Sequence, residues 1–195
     1  MWTKLKDTEL WKRAETAYAA PEGRHYHNMG HVMRLYEVAE ETAVPYDRAL
    51  DLAILAHDAI YDEKPQKERR SADWLLENAG AEEDPGVIAA AEHLVMTTAH
   101  HIPGEDNRLI LLDLHDLGDR EVSLRNRELL VAEFLALMGV GRQAFLAGNS
   151  AFMTGMADGL ENGLSQVADP DERAAFSRII SGIRDVFVLE DGPSF

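Results

Sequence analysis

Residues 49–60 form an almost wholly apolar segment that carries an adjacent histidine and aspartate, His57 and Asp58. A segment of this composition predicts a buried helix. An ionised carboxylate is costly to bury without a partner, so a buried aspartate is normally paired, neutralised or bound to a metal. A neutral imidazole beside a carboxylate is a good donor set for a divalent metal. The pair therefore predicts a metal site with further ligands elsewhere in the chain.

The composition limits what kind of protein can supply those ligands. The 195 residues suit one domain of ordinary size, and a hydrophobic share of 46% is enough for a sizeable core. The chain has no cysteine, which excludes disulfides, thiolate nucleophiles and iron–sulfur clusters. Any metal must therefore be held by histidines and carboxylates.

The net charge of -16 argues against general nucleic-acid binding and against an anionic membrane surface. A small phosphorylated substrate stays open, because a metal and a few local cations decide its binding. No stretch approaches the roughly 18 apolar residues of a membrane span, and the first residues lack the apolar core of a signal peptide. We therefore expect a cytoplasmic protein, whose oligomeric state is left open.

Helical periodicity dominates the chain, and no alternating segment predicts a strand. The fold class is therefore predicted to be all-α, with one compact domain over residues 1–195. Pro85 after Asp84 is typical of a helix start, and Gly80 is typical of a helix stop. The predicted helices cover about residues 5–20, 31–42, 49–60, 66–79, 85–98, 109–117, 120–138, 142–157 and 171–188.

Four residues at or inside apolar helical faces form the candidate ligand set: His31, His57, Asp58 and Asp113. His31 shares a face with Leu35, and Asp113 follows an apolar run. A lone histidine on such a face is usually a core residue with a hydrogen-bond partner. The adjacency of His57 and Asp58 favours a metal. Two imidazoles and two carboxylates leave positions open for water and substrate on a roughly octahedral ion.

The order of these four residues resembles the HD superfamily of metal-dependent phosphohydrolases, in particular a bacterial subgroup. Four segments carry the resemblance: residues 24–31 (R-x-Y-H-N-x-x-H), 57–62 (H-D-x-x-Y-D), 68–72 (E-x-x-S-A) and 113–118 (D-L-x-x-L-G). The likeness covers a core of about residues 10–142 and leaves C-terminal helices at about residues 143–190. Leu111 departs from the subgroup, which usually has an acidic residue there.

The resemblance implies an HD-domain helical bundle that binds at least one divalent metal, Mn²⁺, Mg²⁺ or Fe²⁺. It also implies hydrolysis of a phosphoester or phosphoanhydride, with a nucleotide or related small phosphate compound as substrate. The metal would activate the attacking water. An acidic group must then assist proton transfer, and Asp62 and Glu68 are the candidates. Either residue could equally be an ordinary carboxylate at a helix start or on the surface.

Basic residues near the ligands are candidates for substrate binding. Arg24 and His27 precede the first ligand and could contact phosphate oxygens, although Arg24 could also pair with a carboxylate and His27 could cap a helix. Lys64 opens a basic cluster that continues to Arg70. The cluster could steer an anionic substrate or could simply be a solvated helix face.

Three other functions compete with the hydrolase. A di-iron oxygenase on the same fold would need extra histidines, and His93, His100 and His101 lie in the required interval, whereas His115 is expected to be a structural or surface residue. A non-catalytic nucleotide-binding module would be expected to lose a ligand, and all four are present. A ferritin-like di-iron bundle needs paired Glu-x-x-His motifs on helices. The chain offers that spacing only at residues 22–25, in a predicted loop.

Overall fold

The computed structural model describes residue 2, residues 4–80 and residues 83–188. Within these residues the chain forms helices joined by turns, and no strand occurs among them, which confirms the all-α prediction. The residues group into two compact units, one ending at His100 and the other beginning at His101. The prediction of a single domain over the whole chain stays a prediction, and each unit is described by itself.

The first unit is built around one almost completely buried helix, α3 (Arg48–Ala56). Every residue of α3 from Ala49 to Ala56 is buried, and α3 packs against the other four helices of the unit. Three of those four helices begin after a residue whose side chain accepts from a backbone N–H group of the first turn; for example, Asp84 accepts from Gly86 N and Val87 N. The helices of this unit are α1 (Glu9–Tyr18), α2 (Met29–Glu41), α3 (Arg48–Ala56), α4 (Lys67–Asn78) and α5 (Pro85–Thr97).

The end of α3 differs from the prediction, because the helix stops before the His57–Asp58 pair instead of containing it. Asp58 N, which would continue the helix by bonding Ile54 O, lies 3.2 Å from the Tyr18 hydroxyl. The freed carbonyl of Ile54 lies 3.0 Å from His57 Nδ1. The pair therefore sits in a turn whose backbone is held by side chains. Periodicity cannot reveal this, since the partner Tyr18 lies on another helix.

A second polar cluster lies inside this unit at Asp51, whose side chain is fully buried on α3. Asp51 accepts hydrogen bonds from the hydroxyls of Tyr36 at 2.9 Å and Tyr46 at 3.1 Å. Burial raises the pKa of Asp51, and it outweighs these hydrogen bonds and the attraction of Arg48 and Lys4, which act in the opposite direction. The cluster thus satisfies a buried carboxylate without a metal.

The raised pKa of Asp51 makes the free energy of unfolding depend on pH. Between its ordinary pKa in the unfolded chain and the higher value in the folded chain, the folded state binds more protons. Stability therefore falls as pH rises through that window. We expect Asp51→Asn to remove this loss. The free energy of unfolding of the variant, relative to that of the wild type, should therefore be higher at about pH 7 than at about pH 4. Urea unfolding at both pH values measures it, and a difference that does not change with pH would contradict the prediction.

The second unit contains longer helices and its own apolar core. It comprises α6 (Arg108–Leu114), a 3₁₀ turn (His115–Gly118), α7 (Arg120–Met138), α8 (Arg142–Gly163), a 3₁₀ turn (Leu164–Gln166), α9 (Pro170–Ile183) and a π-helical turn (Arg184–Val188). Helix α7 has the predicted bounds. Helix α8 runs six residues beyond its predicted end, and α9 gives way to the π turn where the sequence predicts a continuous helix. The core includes Ile110, Met153, Leu160, Phe176 and Ile179.

One close backbone contact in this unit requires a glycine at position 182. A Cβ atom on Gly182 of α9 would lie 2.0 Å from the carbonyl oxygen of Leu117 and 3.0 Å from Cα of Gly118. Since both neighbours are backbone atoms, they cannot turn aside as a flexible side chain would. The absence of a side chain at position 182 therefore lets α9 pack directly on the 3₁₀ turn.

We expect Gly182→Ala to destabilise the protein by about 2 kcal/mol or more, because a methyl group would have to push two backbone segments apart. The matched control is Gly155→Ala in α8, where a Cβ would meet no atom within 4 Å. That control should be neutral or stabilising by about 0.5 kcal/mol, because alanine is a better helix former than glycine in a helix interior. Urea unfolding of both variants measures the two changes, and equal stabilities would contradict the prediction.

Among the described residues, no single helix has both the length and the apolar character needed to cross a membrane. Residues 120–138 and 142–166 meet those criteria only together, as a pair bent by 115°.

Candidate metal centre

The site begins with His57, whose ring is oriented by its own helix. His57 follows the last residue of α3 and is 1% exposed. Its Nδ1 lies 3.0 Å from the Ile54 carbonyl oxygen. Because a carbonyl can only accept, Nδ1 carries the proton and Nε2 presents a lone pair. Metal-binding histidines are commonly fixed by such a hydrogen bond from the second ring nitrogen.

The second imidazole, His31, comes from the first turn of α2. Asn28 begins this helix by accepting from Gly30 N, and its amide nitrogen donates to the carbonyls of Arg24 and His25. The helix start thereby places His31 in a buried position, with Nε2 3.2 Å from His57 Nε2. Two imidazole nitrogens this close must share either a proton or a cation.

The carboxylate of Asp58 joins the two rings. Its Oδ2 lies 3.2 Å from His57 Nε2 and 3.9 Å from His31 Nε2. Burial by itself would raise the pKa of Asp58, but the positive charges of His57 and His27 in their protonated forms, together with the charge of Lys67, hold that pKa well below its usual range. The group is therefore a carboxylate, ready to ligate without losing a proton.

His27 is the fourth member of this cluster. Its Nε2 lies 4.0 Å from Asp58 Oδ2, and its ring stacks on Tyr61 with centroids 3.9 Å apart and planes at 19°. The sequence predicts His27 as a phosphate contact. The structure places it beside the Asp58 carboxylate, where His27 can serve as a further ligand or as a proton donor. Its contact with phosphate stays a prediction.

These donors fit one metal ion. Two ligands at about 2.1 Å from an ion lie roughly 3 Å apart at a right angle and roughly 4.2 Å apart when opposite. The separations among His31, His57, Asp58 and His27 given above fall in this interval. His31 and His57 are the two members of this set that also belong to a group of side chains able to hold a metal ion. A nitrogen-rich set with one carboxylate suits Mn²⁺, Fe²⁺ or Zn²⁺ better than Mg²⁺, which prefers oxygen.

Arg24 holds the backbone of the site through hydrogen bonds to carbonyl groups. The side chain is 7% exposed, and its guanidinium donates to the carbonyls of Ala17 and Ala20 on one side and of Asp58 and Ala59 on the other, with Nε donating to His27 O. A guanidinium has five N–H donors. This set of acceptors argues against the predicted phosphate contact, and it makes Arg24 the group that joins the His27 loop to the Asp58 turn.

Ser71 of α4 has a comparable role and accounts for the serine in residues 68–72. It is fully buried, and its hydroxyl accepts from Ile60 N at 3.1 Å and lies 3.3 Å from Ile60 O. Ile60 is two residues after Asp58, so the hydroxyl satisfies backbone groups that the end of α3 leaves open. The neighbouring Ala72, also fully buried, lets α4 pack closely.

The two predicted proton-transfer residues have different environments. Arg70 holds Asp62 through two hydrogen bonds of 2.5 and 3.0 Å, and the pKa of Asp62 is lowered mainly by this contact. Asp62 is therefore a poor proton donor at neutral pH. Glu68 lies half-buried in the first turn of α4. Lys64, the predicted substrate contact, is exposed, and its backbone N–H donates to Asp62.

The remaining predicted ligand, Asp113, belongs to the second unit and lies on α6. Its Oδ2 is 3.0 Å from Nε2 of His101, a residue with a left-handed backbone (φ 50°). His115 follows α6, with its Nδ1 3.4 Å from Asp116 Oδ1. His93 and His100 are exposed. The role of Asp113 as a ligand to the same ion as His31 and His57 stays a prediction.

Several residues near the site were not predicted from the sequence. Tyr18 holds Asp58 N from α1, Tyr61 stacks on His27, and Lys67 Nζ lies 4.0 Å from the centroid of the Tyr61 ring. The sequence signal for Tyr61 is its place in residues 57–62, which marks the residue but assigns it no partner. Lys67 carries no signal beyond the basic cluster to which it belongs.

Comparison of the chain with protein-family models, with curated proteins and with solved structures finds no match. Its function is therefore inferred from the residues themselves.

Proposed function

We propose that the chain is a metal-dependent phosphohydrolase that acts on a small phosphate ester or anhydride, with a nucleotide as the leading substrate class. The observation that supports this most directly is the convergence of His31 Nε2, His57 Nε2 and Asp58 Oδ2, whose separations of 3.2 to 3.9 Å suit one ion. Asp113 is the fourth ligand in this proposal, on the resemblance to the HD superfamily alone.

A divalent metal in such a site lowers the pKa of a coordinated water and polarises a phosphoryl oxygen. The chain supplies the remaining functions. His57 and Asp58 are held by backbone and hydroxyl contacts, so that little reorganisation is needed when substrate binds. His27, 4.0 Å from the Asp58 carboxylate, is placed to give a proton to the leaving oxygen. Glu68 is the second candidate for proton transfer, and it suits that role better than the Arg70-bound Asp62.

The test combines elemental analysis with turnover. Purified protein would be stripped with a chelator, reloaded with Mn²⁺, Fe²⁺, Zn²⁺ or Mg²⁺, and assayed against a panel of nucleotides for release of inorganic phosphate or pyrophosphate. The proposal expects about one ion per chain, together with hydrolysis that is lost on stripping and restored on reloading. A chain that binds an ion but hydrolyses no member of the panel would contradict the hydrolase and favour a binding module.

The same measurement separates the di-iron oxygenase. That enzyme would hold two irons per chain and would draw on histidines such as His93, His100 and His101. Two irons with oxygen consumption, and without phosphate release, would replace the hydrolase by the oxygenase. Absence of any bound metal after reloading would overturn both.

A further inference from the structure

The basic cluster that follows the Asp58 turn divides into two kinds of residue. Arg69 forms ion pairs with Asp73 and Glu92, and Arg70 forms one with Asp62. The ammonium groups of Lys64 and Lys67 form no ion pair within the part of the chain that the structure describes. Two of the four cations are thus committed to the protein's own carboxylates, and two are available to a ligand.

Of the two available lysines, Lys67 is the one that contacts a ring packed on the metal centre. Its Nζ lies 4.0 Å from the centroid of Tyr61, whose ring stacks on His27, and His27 Nε2 is 4.0 Å from Asp58 Oδ2. The Tyr61 ring therefore lies between the Lys67 ammonium and His27, the nearest member of the metal centre. Its charge also contributes to the lowered pKa of Asp58, in agreement with this position.

The place of Lys67 in α4 is unfavourable for the helix. Lys67 is the first residue of α4, where the partial positive charge of the helix end repels a cation. The preceding Gln66 has a left-handed backbone and gives no side-chain cap to the helix. Proteins break such local rules at functional sites more than elsewhere. The Lys67 ammonium lies near both a positive helix end and a cation site. A bound anion would relieve this repulsion.

We propose that the Lys67 ammonium binds phosphoryl oxygens of the substrate beside the His27–Tyr61 stack, and that the site prefers phosphomonoesters to phosphodiesters. This inference rests on the proposed function, whose substrate class it narrows. A monoester phosphate carries about -1.5 to -2 charges at pH 7, whereas a diester carries one. Attraction to the ammonium grows with that charge. Lys67 is thus a substrate-positioning residue that takes the place of the predicted Arg24 contact.

The experiment compares Lys67→Met with the wild type, both loaded with Mn²⁺. The two substrates are p-nitrophenyl phosphate, a monoester, and bis(p-nitrophenyl) phosphate, a diester, and inorganic phosphate is titrated separately by calorimetry. Loss of one charge-assisted contact should raise KM for the monoester and Kd for inorganic phosphate by about tenfold or more. We expect kcat for the monoester, and both constants for the diester, to change by less than about threefold. Lys67→Arg should restore most of the phosphate affinity.

The matched control is Arg69→Gln, which removes one positive charge from the same helix at a residue already paired with Glu92. It should leave Kd for inorganic phosphate within about twofold, because long-range effects of one surface charge are screened by salt. A similar loss in both variants would reduce Lys67 to a general contribution to surface charge and overturn the inference.

The failures of the two proposals can be told apart. If neither ester is hydrolysed but Lys67→Met weakens phosphate binding tenfold, the hydrolase fails and the anion contact stands. If turnover is normal and Lys67→Met leaves phosphate binding and monoester KM unchanged, the hydrolase stands and Lys67 is only a structural partner of Tyr61. An equal rise in KM for both esters would overturn the monoester preference.

Discussion

Replacing Asp58 by alanine is expected to abolish metal binding and phosphate release while leaving the fold intact. In the cluster of described residues formed by Asp58 with His27, His31 and His57, the carboxylate supplies the oxygen donor, and its Oδ2 lies within 4.0 Å of the three Nε2 atoms. Even the loss of an outer-sphere partner typically lowers metal affinity by about 10- to 100-fold, so loss of a direct ligand should exceed that. Elemental analysis after reloading, together with the nucleotide assay, measures both effects.

The fold should survive because the side chain of Asp58 is not part of the apolar core. Its backbone N–H bonds Tyr18 and its carbonyl accepts from Arg24, and neither contact involves the carboxylate. The free energy of unfolding of the metal-free variant should stay within about 2 kcal/mol of the metal-free wild type. Asp73→Ala, which removes an exposed carboxylate paired with Arg69, is the control and should keep its metal. An Asp58→Ala protein with full metal content would contradict the assignment of the metal centre.

Much of this site could be predicted from the sequence, because its signals are local. The adjacency of His57 and Asp58 in an apolar segment and the periodic position of His31 on α2 both survive in the structure. Helix starts were predictable for the same reason, since caps such as Asp84 act within one turn. Local patterns of residue type are thus enough to give the fold class and three members of the candidate centre.

The parts that could not be predicted depend on partners distant in the chain. Helix α3 ends before His57 because Tyr18, 40 residues away, takes Asp58 N. Arg24 looks like a phosphate ligand by residue type, but the carbonyls around it come from α1, its own loop and the Asp58 turn. Asp62 looks like a proton donor until Arg70 is seen to hold it. The sequence shows that a charged side chain is present. Only the packed structure shows whether that side chain is already hydrogen-bonded within the protein.

Arg24→Met provides the sharpest test of that distinction. The substitution removes the Arg24 donor from the buried carbonyl of Ala59 and from the partly buried carbonyls of His27 and Asp58. Each such loss costs about 1 to 3 kcal/mol, so we expect destabilisation of about 3 kcal/mol or more in urea unfolding. Arg24→Lys should recover little, because an ammonium cannot reproduce the planar fork of a guanidinium. Metal affinity should fall as well, since the turn that carries Asp58 loses its support.

The predicted phosphate contact leads to the opposite result. If Arg24 served the substrate, Arg24→Met would leave stability and metal content near those of the wild type and would raise KM, whereas Lys67→Met would have little effect on KM. Arg34→Met is the control for removing an arginine from this unit, because Arg34 pairs with Glu37 and Glu41 at the surface. That control should cost no more than about 1 kcal/mol. A stable Arg24→Met protein with weakened substrate binding would show that Arg24 contacts the substrate phosphate. It would also remove the reason for assigning that contact to Lys67.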